Sequence, residues 1–340
     1  MSTDFCRRVG IDYPIIAFSH CRDVVAAVSR AGGLGVLGAA KFSPQELEVE
    51  LAWIDDKVGG RPYGVDVLAP SPHDDGSDSL DLDMLRARIP DAHQRFVDGI
   101  AESYGVPPAT QGATPREFSG IIVNRRVLEA HIEVALRHPI RFLVSGLGPF
   151  SPDVVRRAHA AGALIGGMCG SVIHAHRHVD AGADVVIAQG TEAAGHTGEI
   201  STLVLVPQIV DAVARVPVLA AGGIVTGRQL AATLALGAQG AWMGSVWPAS
   251  DEGDVDPAVV DKLLAADSRQ TIRTRAMTGK PVRMLRTAFE DAWAAPTAPA
   301  TLPAPLQGLL VLPLLHRVFQ NRVEPLMGQA VGQGVGLMRE

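Results

Sequence analysis

The sequence predicts an α/β protein whose eight parallel strands close into a (β/α)8 barrel. Short apolar, β-branched segments alternate with alanine-rich amphipathic segments along most of the chain. Apolar segments without polar alternation are typical of parallel strands that helices cover on their outer face. Eight such segments favour a closed barrel over an open sheet. The chain has 340 residues, 47% of them hydrophobic, which is enough for the core of one large barrel domain.

This alternation also places the strand and helix boundaries. Ser43 and Ser151 each precede a proline, and Thr226 opens a further amphipathic segment, so all three are expected to cap helix N-termini. The predicted strands are Pro14–Ser19, Leu34–Ala39, Tyr63–Leu68, Ile140–Gly146, Ala163–Cys169, Asp184–Gly190, Pro217–Gly223 and Gly240–Ser245. The predicted helices are Asp23–Ala31, Pro44–Asp56, Pro152–Ala161, Val172–Ala181, Leu205–Ala214 and Gly227–Leu236.

One long segment interrupts the alternation, between the third and the fourth predicted strands. It covers residues 71–139 and contains sequences such as DDGSDSLDLDML and GVPPATQGATPREF. A connection between a strand and its helix is normally a few residues long, so we expect this insertion to form a lid or wall over the barrel mouth. Residues 251–340 are expected to form a helical C-terminal extension. No second independent domain is predicted, so residues 1–340 are interpreted as one barrel.

Composition and charge exclude several classes of protein. The net charge of −6 argues against general binding to nucleic acid or to anionic membranes. No apolar run approaches the roughly 20 residues that span a bilayer, and the N-terminal residues lack the apolar core of a signal peptide. We therefore expect a soluble, cytoplasmic protein with neither a nucleic-acid partner nor a membrane partner.

No metal site is expected either. The three cysteines, Cys6, Cys21 and Cys169, are too few and too scattered for a thiolate site or a disulfide framework. His174 and His178 share a helix face, but no carboxylate or cysteine completes a ligand set. We interpret that helix face as solvated.

Two glycine loops mark a phosphate site. In a barrel of this kind, function lies at the C-terminal ends of the strands, and phosphate groups favour the loops after the seventh and eighth strands. Here those loops contain Gly222 and Gly223, then Gly244 and Ser245. Glycine permits close approach of the backbone, so several N–H groups can converge on phosphate oxygens. A helix that begins near Thr226 would add its positive N-terminal end. Glycines often end strands, but two such loops at the expected pair of positions favour a phosphate site.

The segment after the sixth strand carries the most specific motif. Residues 188–198 read AQGTEAAGHTG, and this segment resembles the signature of the nitronate monooxygenase (2-nitropropane dioxygenase) family, FMN-dependent oxidoreductases with a TIM-barrel fold. Further matches occur in the family's order: PII, AGGLGVLG, YGVDVLAP, VPVLAAGGI, AWMGS, TGKPVR and MGQAVG. The resemblance covers nearly the whole chain apart from the insertion.

The resemblance implies an FMN site. His196 would serve as the catalytic base or orient the substrate, which suits a neutral imidazole with an unperturbed pKa of about 6.5. Glu192 is expected to anchor the loop. The FMN phosphate would bind at Gly222, Gly223, Gly244 and Ser245, and the isoalloxazine and ribityl chain would lie along Gln189, Gly195 and the first-strand loop at Ala17 and Phe18.

The chain departs from the family pattern at two positions that adjoin the flavin. The family's Ala-Pro-Met turn after the first strand is replaced by residues 17–21, AFSHC. There Ser19 and His20 could form a second acid/base pair at the mouth, or could serve packing alone. The family's Asn in Gly-Val-Asn is replaced by Asp66. An ionised carboxylate beside the ring would disfavour a negatively charged reduced flavin, unless hydrogen bonds hold it away from the ring.

Several functions remain open at this stage. The leading hypothesis is nitronate monooxygenase-like oxidation of a small acidic carbon substrate, with O2 reoxidising the FMN. In one alternative, an FMN-dependent enzyme reduces a C=C bond beside a carbonyl, or forms one by dehydrogenation, on an acyl-CoA for example. A second is a flavin-free phosphate-binding barrel that acts as a lyase or synthase. The expected partners are a small-molecule substrate and O2 or NAD(P)H, and a homodimer is allowed.

Overall fold

Within residues 2–69, 82–108 and 125–338, which the computed structural model describes, eight parallel strands close into a barrel. The strands pair in chain order, and the last pairs back onto the first through Ile16 and Trp242. Helices surround the barrel, so the predicted (β/α)8 fold is confirmed. The barrel strands are β1 Ile15–Ser19, β2 Leu34–Gly38, β3 Tyr63–Val67, β4 Phe142–Ser145, β5 Leu164–Cys169, β6 Val185–Gln189, β8 Val218–Ala221 and β9 Gly240–Met243.

A second, antiparallel sheet lies outside the barrel. Its strands are β7 Gly195–His196, β10 Thr271–Thr274 and β11 Val282–Leu285, in the order β10–β11–β7. The helices are α1 Asp4–Val9, α2 Arg22–Arg30, α3 Pro44–Lys57, α4 Leu82–Arg86, α5 Asp91–Ser103, α6 Arg125–Ala135, α7 Pro152–Ala160, α8 Val172–Asp180, α9 Thr202–Ala212, α10 Gly227–Ala235, α11 Pro257–Ala265, α12 Ala288–Ala294 and α13 Leu306–Gln320. Among the described residues, none of these helices combines the length and apolar character needed to cross a bilayer.

Side chains from alternate positions of each strand fill the barrel interior. Ile16, Val36, Phe142 and Ile187 belong to this interior cluster, and helix α1 closes the N-terminal end of the barrel with Phe5. Between the strands and the surrounding helices lie separate apolar layers. The N-terminal end of the barrel is therefore packed shut, which leaves the C-terminal ends of the strands as the open mouth.

The predicted insertion contains three helices in its described parts. Helix α6 packs on α3 and β3, and its Leu128 and Ile132 share an apolar cluster with Leu47 and Leu51 of α3. Helix α6 thus occupies the place of the barrel helix that follows β3. Residues 71–81 and 109–124 of the insertion lie outside the described residues. The role of the insertion as a lid stays a prediction.

Helix α5 of the insertion packs with the C-terminal extension. Its Val97 and Ile100 belong to one buried apolar cluster with Phe289, Leu310 and Val318 of helices α12 and α13. Val97 and Ile100 are separated from the other three residues by 189 to 221 positions in the chain. The insertion and the extension therefore share a second hydrophobic core beside the barrel.

Two sequence predictions need correction. Helix α9 begins at Thr202 rather than Leu205, because the carboxylate of Glu192 accepts hydrogen bonds from the first backbone N–H of the helix. His178 is buried rather than solvated, and its Nε2 lies 3.1 Å from the carbonyl oxygen of Met168. A Cβ on Gly167 would overlap the His178 ring, so strand β5 needs glycine there to let α8 approach.

Candidate active site

The last inward-facing side chains of four strands form the floor of the barrel mouth. They are Phe18 of β1, Asp66 of β3, Gln189 of β6 and Trp242 of β9. The alternation of each strand fixes this orientation, since the neighbours of these residues pack against the outer helices. The Phe18 and Trp242 rings stack with centroids 5.6 Å apart. The floor is thus aromatic on one side, with a carboxyl group and a carboxamide on the other.

Asp66 is buried in this floor, with 5% of its surface exposed. Its Oδ2 has no hydrogen-bond partner among the described residues. Burial raises the pKa of the Asp66 carboxyl well above its usual value of 3.8, because desolvation penalises the charged form. The sequence left the ionisation state of this carboxyl open, and burial without a partner favours its protonated, neutral form.

The residues that the sequence grouped in the first-strand loop lie in different surroundings and make separate contacts. Ala17 is fully buried, and strand alternation places it and Ser19 on the side that faces the helices. Ser19 Oγ accepts a hydrogen bond from the backbone N–H of Cys21. His20 instead packs its ring edge-on against Phe18 and donates from Nδ1 to the carbonyl oxygen of Gly38, 2.8 Å away. Ser19 and His20 do not bond to each other.

The two glycine loops lie side by side because β8 and β9 pair. Gly222 and Gly223 both have positive φ, 117° and 69°, which L side chains rarely adopt. Ser245 Oγ accepts from the backbone N–H of Gly332, 2.9 Å away, so its own hydroxyl proton stays available for donation. Thr226 caps helix α10 next to the first loop. The two glycine loops and the start of helix α10 thus lie together at the C-terminal ends of β8 and β9.

The loop that follows β6 is held firmly at its base. The Glu192 carboxylate accepts three hydrogen bonds, two from the Thr202 backbone N–H and one from its hydroxyl, at 2.9–3.1 Å. The Glu192 carbonyl oxygen also accepts from Gln333 N–H in the C-terminal tail. Glu192 thus anchors the loop, as expected from the sequence.

His196 lies on the small antiparallel sheet rather than on a free loop. Strand β7 pairs with β11, with Gly195 opposite Arg283 and His196 opposite Val282. Gly195 has a φ of 73° and faces open space. The C-terminal extension therefore supplies the strand that fixes the histidine at the mouth.

The hydrogen bond of His196 determines its tautomer. Its Nδ1 lies 3.0 Å from the carbonyl oxygen of Pro281. A carbonyl oxygen can only accept, so Nδ1 carries the proton, and in the neutral ring Nε2 keeps a free lone pair. His196 is exposed to solvent, but the protein around it still desolvates its ring and lowers its pKa below 6.5. The bond to Pro281 opposes this shift and the charge of Lys280 adds to it. His196 is therefore neutral at pH 7 and presents a basic nitrogen.

Two arginines that the sequence analysis missed hold the same loop. Arg283 is buried and donates from Nε to the Thr191 carbonyl oxygen, 2.9 Å away. Arg273, directly opposite it on β10, donates to the Thr197 carbonyl oxygen at 3.1 Å. Each thus supports one side of the loop that carries His196. The only sequence signal was the TGKPVR segment, whose distance along the chain from the loop hides the contact.

A family model and two relatives identify the family to which this chain belongs. A family model described as nitronate monooxygenase matches residues 9–336. "Putative monooxygenase Rv1533" of Mycobacterium tuberculosis is 49% identical over 344 residues, covering 99% of this chain and 92% of that protein. "Probable nitronate monooxygenase" of Staphylococcus aureus strain Newman is 30% identical over 297 residues, covering 83% and 77%. The solved structure of nitroalkane oxidase from Streptomyces ansochromogenes matches with a TM-score of 0.79 at 29% identity, covering 97% and 92%.

Proposed function

The chain belongs to the nitronate monooxygenase family, and from that membership and the geometry of the mouth we propose that it is an FMN-dependent enzyme that oxidises a small acidic carbon substrate. The substrate is a nitronate or its parent nitroalkane, and O2 reoxidises the flavin. That the chain is a flavin-dependent oxidoreductase follows from the family and from its similarity to nitroalkane oxidase. The identity of the flavin as FMN and the identity of the substrate are what we propose. The observation that carries the proposal is a neutral His196 with a free Nε2 at the barrel mouth.

The residues of the mouth fit FMN. A Cβ on Gly244 would meet only Phe18, at 3.9 Å, so open space borders the second glycine loop. Gly223, Gly244 and Ser245 would hold the phosphate, and Phe18, Asp66, Gln189 and Gly195 would line the rest of the cofactor. The unpartnered Oδ2 of Asp66 fits a bound polar group, since a buried polar atom normally has a partner. When bound, FMN would supply the two-electron acceptor for the substrate.

The chain's own contribution to the chemistry is proton transfer at His196. Nε2 can accept a proton from the acidic carbon of a nitroalkane, which leaves the substrate as its nitronate. The bond from Nδ1 to Pro281 then stabilises the imidazolium that forms and keeps the ring in place. Arg283 and Arg273 hold the loop backbone on either side of the histidine. The loop therefore does not have to become ordered in each turnover, and the base stays oriented.

The first prediction concerns the cofactor. Purified protein should be yellow and should release FMN, not FAD, on denaturation. Replacing Gly244 by valine should remove most of the bound FMN, because the new side chain fills the open space at the second glycine loop without meeting other protein atoms at short distance. Gly244 tests this better than Gly223, whose positive φ would strain any substituted residue. Flavin absorbance per protein and chromatography of the released flavin measure both results.

Gly99→Val is the matched control, since Gly99 lies on helix α5, outside the two glycine loops, and a Cβ there would also meet open space. It should keep the wild-type flavin content. Full FMN occupancy in Gly244→Val, or release of FAD from the wild type, would contradict the proposed phosphate site.

The second prediction concerns pH. Since the pKa of His196 is lowered below 6.5, the base is lost only when the pH falls through that lowered pKa. The kcat/KM for a neutral nitroalkane should therefore be flat near pH 7 and fall only as the pH drops below 6.5 through the lowered pKa. The His196→Asn variant should lack this acidic limb. If the acidic limb persisted unchanged in the variant, the group that titrates would be a residue other than His196.

A further inference from the structure

Asp66 is the one carboxyl group that strand β3 directs into the barrel interior. Val65 and Val67 pack in the outer cluster with the helices, so alternation points Asp66 inward. A Cβ on Gly146 would lie 3.4 Å from Asp66 Oδ1 and 3.1 Å from the Leu68 side chain, so both side chains approach this glycine. The neighbouring strands present Gly38 and Val144 in register with it.

Among the described residues, no charged side chain compensates this carboxyl. Desolvation raises its pKa, and the described part of the chain adds no contribution from a cation or a hydrogen bond. The Oδ2 atom has no partner among the described residues. An ionised, unpaired carboxylate at such a site would be very costly, whereas a protonated carboxyl offers one O–H donor and a remaining acceptor. The group is thus a donor with nothing in the described chain to receive its hydrogen bond.

We propose that Asp66 works as a neutral carboxylic acid that donates a hydrogen bond to the bound flavin, as a side-chain amide would in the same place. This inference rests on the proposed flavin site. It removes the conflict between a carboxyl group at this position and a reduced flavin that carries negative charge, because a neutral donor stabilises that charge whereas a carboxylate would repel it.

Three holoenzymes test the proposal: wild type, Asp66→Asn and Asp66→Leu. The amide of asparagine keeps a neutral donor, and leucine keeps a similar volume without one. We expect Asp66→Asn to bind FMN within about threefold of wild type with a similar reduction potential. Asp66→Leu should bind FMN about threefold to tenfold more weakly, the usual range for one lost neutral hydrogen bond, and should have a lower reduction potential.

An ionised Asp66 predicts the opposite pattern. Both variants would then raise the reduction potential and tighten FMN binding, because each removes a negative charge beside the ring. Unchanged potential and affinity in both variants would mean that Asp66 does not contact the flavin. Either result overturns the proposal.

Infrared spectroscopy of the protein labelled with isotopic aspartate gives a readout that does not depend on turnover. At pH 7 the wild type should show the carbonyl stretch of a protonated carboxyl, and Asp66→Asn should lack it. Its absence from the wild type would also overturn the proposal. Failure of the proposed function is distinguishable: a flavin that nitronates do not reduce would contradict the substrate assignment while leaving these three comparisons intact.

Discussion

Replacing His196 by asparagine is expected to slow flavin reduction by a neutral nitroalkane about 10²–10⁴-fold, the usual contribution of a general base. The asparagine amide can still donate to the Pro281 carbonyl oxygen and keep β7 in register with β11. The loss would therefore reflect the missing basic Nε2 and not a displaced loop. The variant should stay yellow, since His196 is not among the residues proposed to hold the FMN. Anaerobic stopped-flow measurement of flavin reduction gives the rate directly.

The substrate itself provides the sharpest control. A preformed nitronate has already lost its proton, so His196→Asn should affect it much less than the nitroalkane. His174→Asn, the same change at an exposed position of helix α8, should affect neither. Small and equal losses with both substrates would show that His196 is not the base, and His20 would be the next residue to test.

The second large effect is on stability. Replacing Val97 of helix α5 by aspartate should lower the free energy of unfolding by about 4 kcal/mol or more, because it buries an unpaired charge. Val97 is 2% exposed and lies in the core that the insertion shares with α12 and α13. Urea denaturation followed by circular dichroism measures the change.

Val49→Asp is the matched control for this substitution. Val49 is 61% exposed on helix α3, so the same change there should shift the urea midpoint very little. If Val97→Asp were as mild as Val49→Asp, helix α5 would be an independent flap and not part of a shared core. A lid function for the insertion would then be possible without any link to the C-terminal extension that supplies β11.

The sequence predicted the barrel well because each strand has a recognisable local pattern. Each barrel strand is a short apolar segment, and each lies within a predicted range. Ser43, Ser151 and Thr226 cap helices as expected, since capping depends on residues only three positions apart. The helices of the insertion were not predicted, although α5 and α6 are amphipathic like the barrel helices.

In the candidate site, too, local features were predicted and long-range contacts were not. The motif around His196 was recognisable from the sequence, but its pairing with residues 281–283 was not, since antiparallel pairing over such a distance leaves no local pattern. The contacts of Arg273 and Arg283 escaped for the same reason. The protonation of Asp66 could not be decided from the sequence, because a carboxyl group's pKa depends on burial and missing partners that only the folded chain determines.

Anaerobic mixing of the purified protein with a preformed alkyl nitronate tests the central claim most directly. We expect the protein to be yellow, its oxidised-flavin absorbance to bleach on mixing, and admission of O2 to restore the colour. In parallel samples, NADH, NADPH and acyl-CoA esters should bleach it far more slowly or not at all. A colourless protein would contradict the flavin assignment, and a yellow protein that NAD(P)H reduces while nitronates do not would contradict the proposed substrate.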